Sequence, residues 1–184
     1  MRGIFGITGT PGTGKKSAAP IVARSLGVPC LGLNEIARSA GLVRARAEVD
    51  ADLLKKALAK LPGRSAVVYG HLLPYSADRA MVARVAVLRC EPSVLRGRLE
   101  SRGYAKPKVL ENLRAELIGL ISADAAQAFG KAKTFEVDTT HSTPSETAEK
   151  ILSGARGRGK RPAPVDWIPN YDSGAKLRSL LPSD

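Results

Sequence analysis

Cysteine and long apolar runs are both scarce in this chain of 184 residues. Its two cysteines, Cys30 and Cys90, are too few for a disulfide framework and too far apart for a zinc knuckle. They predict two half-buried thiols in a reducing cytoplasm. No stretch approaches the ~18 apolar residues of a membrane-spanning helix, and the apolar start of the chain runs directly into glycines. We therefore expect neither a membrane anchor nor a secretory leader.

Acidic residues are also scarce relative to basic ones. Asp and Glu number 17 against 29 Lys and Arg, which gives a net charge of +12. This excess of cations predicts partners that carry phosphate groups. Hydrophobic residues make up 43% of the chain, which is enough for one globular domain to form a core and excludes disorder throughout.

Short β-branched runs alternate with longer segments of helical period, and we find no internal repeat. The runs predict five brief buried strands, at residues 4–8, 30–33, 66–69, 85–88 and 134–137. The periodic segments predict helices at about 15–26, 34–40, 49–60, 92–102, 107–128 and 145–153. This alternation is typical of a parallel sheet covered by helices on both faces, so residues 1–153 are interpreted as one α/β domain. Pro20 is expected to kink the first helix or to remove one of its hydrogen bonds.

The character of the chain changes after Ser153. Residues 154–162 are rich in glycine and carry four cations and no acid, which indicates a flexible linker or an arm that contacts nucleic acid. Beyond them, residues 165–168 and 177–181 supply a few apolar side chains. Two outcomes are open for this tail: it docks on the domain, or it binds a partner.

A glycine-rich motif, GTPGTGK at residues 9–15, follows the first predicted strand and opens the first predicted helix. It fits the phosphate-binding pattern G-x-x-x-x-G-K in the strand–loop–helix context that the pattern requires. The glycines allow backbone N–H groups to point at phosphate oxygens, and the helix N-terminus adds partial positive charge. Lys15 is expected to reach the β- and γ-phosphates. The motif predicts nucleotide binding; an ordinary glycine-rich turn is the alternative.

Two positions depart from the usual form of this motif. Lys16 occupies the place where a Ser or Thr hydroxyl normally holds Mg²⁺, and Ser17 lies about 100° further round the helix. Tyr69, at the end of the third strand, stands where kinases of this type carry a metal-positioning Asp or Glu. A gained ammonium and a lost carboxylate both disfavour a divalent cation, so no metal ligand is predicted with certainty.

Four blocks of sequence resemble the adenylate kinase isoenzyme 6 family, which comprises small nucleoside monophosphate kinase folds that are also known as ATPases of small-ribosomal-subunit assembly. The blocks are GTPGTGK at 9–15, LNEIARSAGL at 33–42, VVYGHL at 67–72 and LRGRLESRGYAKPKVLEN at 95–112. Segments 88–92 and 136–140 also fit, so the resemblance covers residues 3–153.

The resemblance implies a three-layer P-loop NTPase fold of the nucleoside monophosphate kinase type, with a five-stranded parallel sheet in the order 2-3-1-4-5 and a short lid. Residues near 32–55 would form the NMP-binding region, and residues near 101–111 would form the lid over ATP. The loop formed by residues 139–142 would lie near the adenine. ATP would be the cofactor, with Mg²⁺ expected from the family.

The resemblance also implies roles for individual residues. Arg38 would hold the phosphate of the acceptor, and Arg102 would contact the phosphates of ATP with help from Arg98. His71 matches the histidine of an acid-x-His signature linked to ATP hydrolysis, in which Tyr69 replaces the acid. Lys15, His71 and Arg102 are thus the candidate catalytic residues. The candidate ATP-binding residues are Gly9, Gly12, Thr13, Gly14, Lys15, Lys16, Ser17, Arg98 and Arg102. The alternatives are solvated helix arginines and an ordinary hydrogen-bonded histidine.

Three functions are compatible with these residues. The first is an adenylate kinase with ATPase activity that transfers phosphoryl groups from ATP to AMP. The second is a nucleotide-switched assembly factor for the small ribosomal subunit, active in rRNA maturation; its partners, by resemblance, would be a small-subunit platform protein and pre-rRNA. The third is a protein that binds nucleotide without chemistry. Each function places the protein in the cytoplasm, away from membranes.

Overall fold

The computed structural model of the chain describes residues 3–42, 50–60, 65–156 and 164–182. Its five strands form a single parallel sheet in the order β2-β3-β1-β4-β5. The strands are β1 (Gly3–Gly9), β2 (Cys30–Gly32), β3 (Ser65–Tyr69), β4 (Val82–Arg89) and β5 (Thr134–Asp138). The sheet order expected from the resemblance is therefore confirmed.

Nine α-helices lie within the described ranges, and most of them cover the two faces of the sheet. They are α1 (Lys15–Leu26), α2 (Leu33–Ser39), α3 (Ala51–Ala59), α4 (Leu73–Ser76), α5 (Pro92–Glu100), α6 (Lys106–Leu117), α7 (Leu120–Phe129), α8 (Pro144–Arg156) and α9 (Gly174–Leu180). A 3₁₀ turn spans Ile168–Tyr171. None of these helices is long and apolar enough to cross a membrane.

The core divides into two layers because successive side chains of a strand point to opposite faces. Phe5 and Ile7 of β1 are fully buried against α1 and α8. Ile4 of the same strand belongs to the opposite layer, with residues of α2, α3 and α7. Full burial of side chains of this size stabilises the fold by roughly 1.5–3 kcal/mol each.

All five strands run in the same direction, so their carboxyl ends meet at one edge of the sheet. Ile7 of β1 lies in register with Tyr69 of β3, and Gly9 lies in register with Leu88 of β4. Ligands of parallel α/β sheets bind outside this edge, where neighbouring connections run to opposite faces. The fold thus places the phosphate motif and the departures at Lys16 and Tyr69 on one side of the molecule.

The predicted helix at 107–128 is wrong in one respect, because the structure has two helices there. Gly119 adopts a left-handed conformation, with φ of 65°, and ends the continuity between α6 and α7. A Cβ atom at this position would also lie close to the guanidinium of Arg89, 3.2 Å from Nη1. The pattern of apolar residues alone did not reveal the break.

Other boundaries also differ from the sequence predictions. Helix α5 ends at Glu100 and α6 begins at Lys106, so the connection spans residues 101–105, where the predicted helices leave 103–106. Pro107 lies in the first turn of α6, where proline is favoured. Helix α1 continues past Pro20, whose side chain is exposed. The short helix α4 was not predicted. Residues 43–49 of the expected NMP-binding region lie outside the described residues.

The C-terminal segment 164–182 packs against α5 and α6. Trp167, which is 8% exposed, and Leu180, which is 3% exposed, join an apolar cluster with Leu95, Leu99 and Leu113. For this segment, docking on the domain is the observed outcome. Helix α8 extends to Arg156, which is further than predicted, and residues 157–163 of the basic segment lie outside the described residues.

Candidate nucleotide-binding site

The loop at residues 9–15 connects the end of β1 to the start of α1, as the motif predicts. Gly12 and Gly14 both have φ of 94°, a left-handed conformation that L-residues with side chains rarely adopt. A Cβ atom at Gly9 would lie 2.3 Å from the carbonyl oxygen of Leu88, and one at Gly12 would lie 2.6 Å from Cδ1 of Leu95. Gly9 and Gly12 are therefore required by both backbone conformation and close packing, whereas Gly14 is required by backbone conformation alone.

Lys15 lies against the loop itself. Its Nζ donates to the carbonyl oxygen of Gly9 at 2.7 Å and to that of Thr10 at 2.8 Å, with Thr13 Oγ1 at 3.5 Å. The pKa of Lys15 is lowered to about 7, chiefly by burial; nearby Glu116 opposes the shift and Arg102 contributes to it. An anionic phosphate beside this ammonium would favour its charged form.

A single cleft of about 800 Å³, including its opening to solvent, runs from this loop to helix α2. Seven of the predicted site residues line it besides Lys15: Gly12, Gly14, Lys16, Ser17, Arg38, His71 and Arg102. Further lining residues are Pro11, Gly32, Asn34, Glu35, Tyr69, Gly70 and Tyr104. The structure therefore brings most of the predicted residues to one cavity, although their individual roles stay predictions.

The residues around the loop do not fit Mg²⁺, which the P-loop resemblance implies. Lys16 and Ser17 are exposed at the start of α1, and Lys16 places an ammonium at the position of the usual hydroxyl ligand. Burial and the neighbouring Glu35 raise the pKa of Tyr69 to about 12, so this phenol is neutral near pH 7. Among the described residues, no group of three or more His, Cys, Asp or Glu side chains could hold a metal ion.

Tyr69 is instead paired with a carboxylate across the cleft. Its hydroxyl donates to Glu35 Oε1 at 3.2 Å. A Cβ atom at Gly32 would lie 2.8 Å from both the Tyr69 hydroxyl and Glu35 Oε2, so the absence of a side chain at Gly32 makes room for this pair. Glu35 is the carboxylate among the residues that line the cleft.

His71 lies just beyond the end of β3 and lines the same cleft. Burial lowers its pKa to about 4, and the positive charges of Lys15 and Lys108 act in the same direction. The imidazole is therefore neutral near pH 7. A neutral imidazole can donate one hydrogen bond and accept another, which suits the orientation of a phosphate or a water molecule.

Two arginines contact the cleft from different elements. Arg38 lies on α2 with its Nε donating to the carbonyl oxygen of Asn34 at 3.2 Å, which orients its guanidinium. Arg102 lies in the connection 101–105, beside Tyr104, whose ring is 38% exposed. Cations thus approach the cleft from the α2 side and from the α5–α6 side.

Arg98 has partners other than the cleft. Its Nη2 donates to the carbonyl oxygens of Thr139 and Thr140, at 2.9 and 2.8 Å, and so holds the loop after β5. Thr139 Oγ1 in turn donates to the carbonyl oxygen of Thr13 at 3.1 Å. Among the residues that the structure describes around the cleft, Arg98, Thr13 and Gly9 are not part of the lining. Their predicted contacts with ATP stay predictions. Through Thr139, Arg98 and Thr13 connect the loop after β5 to the phosphate loop, on the side away from the cleft.

Sequence reasoning missed Glu116, which contacts the loop from α6. Its Oε2 accepts a hydrogen bond from Thr10 Oγ1 at 2.5 Å, and its Oε1 pairs with Arg89 Nε at 2.8 Å. Thr10 and Glu116 are 106 positions apart, so no local sequence pattern could reveal this contact. Tyr104 lies in the block at 95–112, and the sequence indicates no role for it.

Comparison with known proteins agrees with this geometry. A family model described as an AAA domain matches residues 6–119, which is more than half of the chain. A protein of Thermococcus onnurineus named "Putative adenylate kinase" is 34% identical over 174 residues, covering 92% of this chain and 93% of its own. A protein of the same name from Methanothermobacter thermautotrophicus is 40% identical over 159 residues, covering 82% of this chain and 90% of its own.

Solved structures show a similar fold at lower identity. Shikimate kinase from Acinetobacter baumannii superposes with a TM-score of 0.60 and 17% identity, over 87% of this chain and 97% of its own. At this identity the similarity supports the architecture alone. The architecture is that of a P-loop kinase.

Proposed function

Because the chain belongs to a family of adenylate kinase-like P-loop proteins, we propose that it is a nucleoside monophosphate kinase that uses ATP and accepts AMP. One observation carries this proposal: a single cleft contains the phosphate loop at one end and Arg38 of α2 at the other. Arg102, in the connection between α5 and α6, lines the same cleft. The cleft therefore offers Lys15, Lys16 and Arg102 to a donor triphosphate and Arg38 to an acceptor monophosphate. Residues 32–55 would then be the acceptor region and 101–111 the lid.

The proposed reaction transfers the terminal phosphoryl group of ATP. An oxygen of the AMP phosphate forms a bond to the γ-phosphorus while the bond to the β,γ-bridging oxygen breaks, which yields two molecules of ADP. Lys15, Lys16 and Arg102 neutralise the triphosphate, and Arg38 holds the attacking phosphate in line. His71, neutral and mostly buried, orients a phosphate oxygen. The chain's own residues thus supply positioning and positive charge.

Mg²⁺ enters no step of this mechanism because the residues beside the loop do not fit it. Lys16 provides positive charge where P-loop enzymes normally place a metal-binding hydroxyl. The pairing of Tyr69 with Glu35 uses the strand end at which a metal-positioning acid is usual. We propose that Lys16, together with Lys15 and Arg102, neutralises part of the triphosphate charge that a metal ion otherwise neutralises.

ADP formation from ATP plus AMP, measured with Mg²⁺ and with a chelator, tests the proposal. We expect ADP under both conditions, and we expect Lys15→Met to abolish it. Slow ATP hydrolysis that needs no AMP would contradict the kinase and favour an assembly switch. Tight ATP binding without turnover would favour a protein that binds nucleotide without chemistry.

A second candidate function is a nucleotide-switched assembly factor that acts in the cytoplasm on the small ribosomal subunit. The net charge of +12 and the replacement of the metal-binding positions favour it. Its partners would be a platform protein and pre-rRNA, as in the isoenzyme 6 family that the sequence resembles. Polyphosphate partners bind through release of counterions, so binding should weaken steeply with salt.

Neutral substitutions in the basic segment test this second function. We expect Gln at Arg156, Arg158, Lys160 and Arg161 to reduce RNA affinity and its salt dependence while leaving ATP binding unchanged. Gln at four exposed cations elsewhere serves as the matched control: Arg24, Lys56, Lys60 and Arg114. Equal losses in the two variants would indicate that net charge alone attracts RNA, and unchanged RNA binding in the first variant would exclude the segment.

A further inference from the structure

A buried hydrogen bond joins the phosphate loop to helix α6. Thr10 Oγ1 donates to Glu116 Oε2 at 2.5 Å, and both residues are only 1% exposed. The carbonyl oxygen of Thr10 accepts the hydrogen bond from Lys15 Nζ at 2.8 Å. The orientation of Thr10 therefore determines where this acceptor lies, and the side chain of Glu116 fixes that orientation.

The other oxygen of Glu116 is shared by three donors. Arg89 Nε lies at 2.8 Å, the backbone nitrogen of Cys90 at 3.0 Å and Nε1 of Trp167 at 3.2 Å. Arg89, which is 3% exposed, also donates from Nη1 to the carbonyl oxygen of Val165 at 3.1 Å. Two residues of the C-terminal segment 164–182 therefore belong to the network that holds the loop.

The network is buried and charged, so its members depend on one another for satisfied hydrogen bonds. A buried carboxylate is tolerated when its lone pairs are satisfied by donors, and removal of one donor leaves desolvated charge behind. Glu116 has the guanidinium of Arg89 on one side and the Thr10 hydroxyl on the other. Loss of the indole donor of Trp167 would therefore leave part of this charge unsatisfied and allow the carboxylate of Glu116 to turn from the orientation in which it accepts from Thr10.

Apolar packing gives a second connection between the same segment and the loop. Trp167 packs in the cluster that contains Leu95 and Leu99 of α5. These leucines also face the loop, since a Cβ atom at Gly12 would lie 2.6 Å from Cδ1 of Leu95 and 3.1 Å from Cδ2 of Leu99. Helix α5 ends where the connection 101–105 begins, so the packing supports both the loop and the position of Arg102.

We propose that segment 164–182 is an integral part of the nucleotide site, with Glu116 as the positioning residue that links Trp167 to Thr10. The proposal rests on the proposed nucleotide-binding function and adds a structural element to it. Docking of the segment and binding of a triphosphate then stabilise one another, because each favours the same orientation of Thr10. The ligand class is a nucleoside triphosphate held at the loop.

Calorimetric titration with ATP measures the first consequence. We expect Thr10→Val, Glu116→Gln and Trp167→Phe each to weaken ATP binding about tenfold, the size of effect of one hydrogen bond to a charged group. Asp172→Asn is the matched control, because it alters an exposed carboxylate of the same segment whose partner, Lys176, lies in that segment too. This control should bind ATP as the unaltered protein does.

A double-mutant cycle separates positioning from general destabilisation. If Thr10 and Trp167 act through one carboxylate, Thr10→Val combined with Trp167→Phe should cost less affinity than the product of the two single losses. Losses that multiply would show that the residues act independently and would overturn the proposal. Melting temperatures of all variants identify any change that follows from reduced folding.

Trp167 is the single tryptophan of the chain, so its fluorescence reports directly on segment 164–182. We expect ATP to change its emission with the midpoint that calorimetry gives, and we expect Thr10→Val to bind ATP with a smaller change. Emission that stays constant while calorimetry shows saturation would overturn the proposal alone. Absence of any ATP binding by the unaltered protein would instead overturn the proposed function.

Discussion

Restoring the metal-binding positions should make the protein respond strongly to Mg²⁺. The combined substitution Lys16→Thr with Tyr69→Asp removes an ammonium, adds a hydroxyl and adds a carboxylate beside Glu35, whose Oε1 lies 3.2 Å from the Tyr69 hydroxyl. Carboxylate and hydroxyl oxygens are the ligands that Mg²⁺ prefers. The variant thus presents an oxygen donor set at the mouth of the phosphate loop.

Coulomb's law gives the size of the effect. At about 6 Å and an effective dielectric constant of about 40, suited to an open cleft, one unit of protein charge changes the energy of a divalent ion by about 2.8 kcal/mol. That energy corresponds to about a hundredfold in affinity. The two substitutions together lower the charge of the protein by two units. Because the nucleotide and water screen part of the field, we expect the gain in Mg²⁺ affinity to be about a hundredfold, which is the effect of one unscreened unit.

The assay is ADP formation from ATP and AMP as a function of Mg²⁺ concentration. The ratio of the rate with Mg²⁺ to the rate in a chelator should rise about a hundredfold in the double variant. Tyr69→Phe, which removes the hydroxyl without adding charge, should leave this ratio unchanged. A double variant with the same ratio as the unaltered protein would refute the assignment of Lys16 and Tyr69 to the metal position.

Three further predictions concern single residues. The pKa of His71 is lowered from 6.5 to about 4, so as the pH falls the unfolded chain takes up this proton before the folded chain does. The free energy of unfolding should therefore drop by up to about 3 kcal/mol between pH 6.5 and pH 4. Chemical denaturation of His71→Gln should show a smaller dependence of this free energy on pH. Arg38→Ala should raise the KM for AMP about tenfold and leave that for ATP unchanged in initial-rate kinetics, whereas equal effects on both would contradict its acceptor role. Gly12→Ala should weaken ATP binding in calorimetry and lower the melting temperature. Gly12 has a φ of 94°, and the new Cβ atom would lie 2.6 Å from Leu95 Cδ1. An unchanged isotherm would show that the nucleotide binds elsewhere.

The sheet and the phosphate loop could be predicted because their signals are local. A glycine motif between a buried strand and a helix specifies the loop at residues 9–15. The sequence also shows directly that Lys16 replaces the Ser or Thr that usually follows this motif. The end of β3 placed Tyr69 and His71 correctly at the cleft. The sequence order of strands and helices, together with the family resemblance, then defined the sheet.

The remaining features depend on contacts between distant residues. The break at Gly119 follows a helical pattern of apolar residues that continues on both sides, so periodicity could not locate it. The role of Arg98 depends on carbonyl oxygens of Thr139 and Thr140 that only the fold brings within reach. In the sequence, Glu116 is one of two acids on α6; its role appears only when the fold brings Trp167 and Thr10 to it from distant parts of the chain.

Calorimetric titration with ATP in the presence of a chelator is the most direct measurement of the central claim, that loop 9–15 holds a triphosphate with the chain's own cations. We expect saturable binding by the unaltered protein and a loss of at least about tenfold in affinity for Lys15→Met. Arg24→Met, which alters an exposed cation at the far end of α1, should titrate as the unaltered protein does. Absence of heat from the unaltered protein, or an isotherm that Lys15→Met leaves unchanged, would contradict the account.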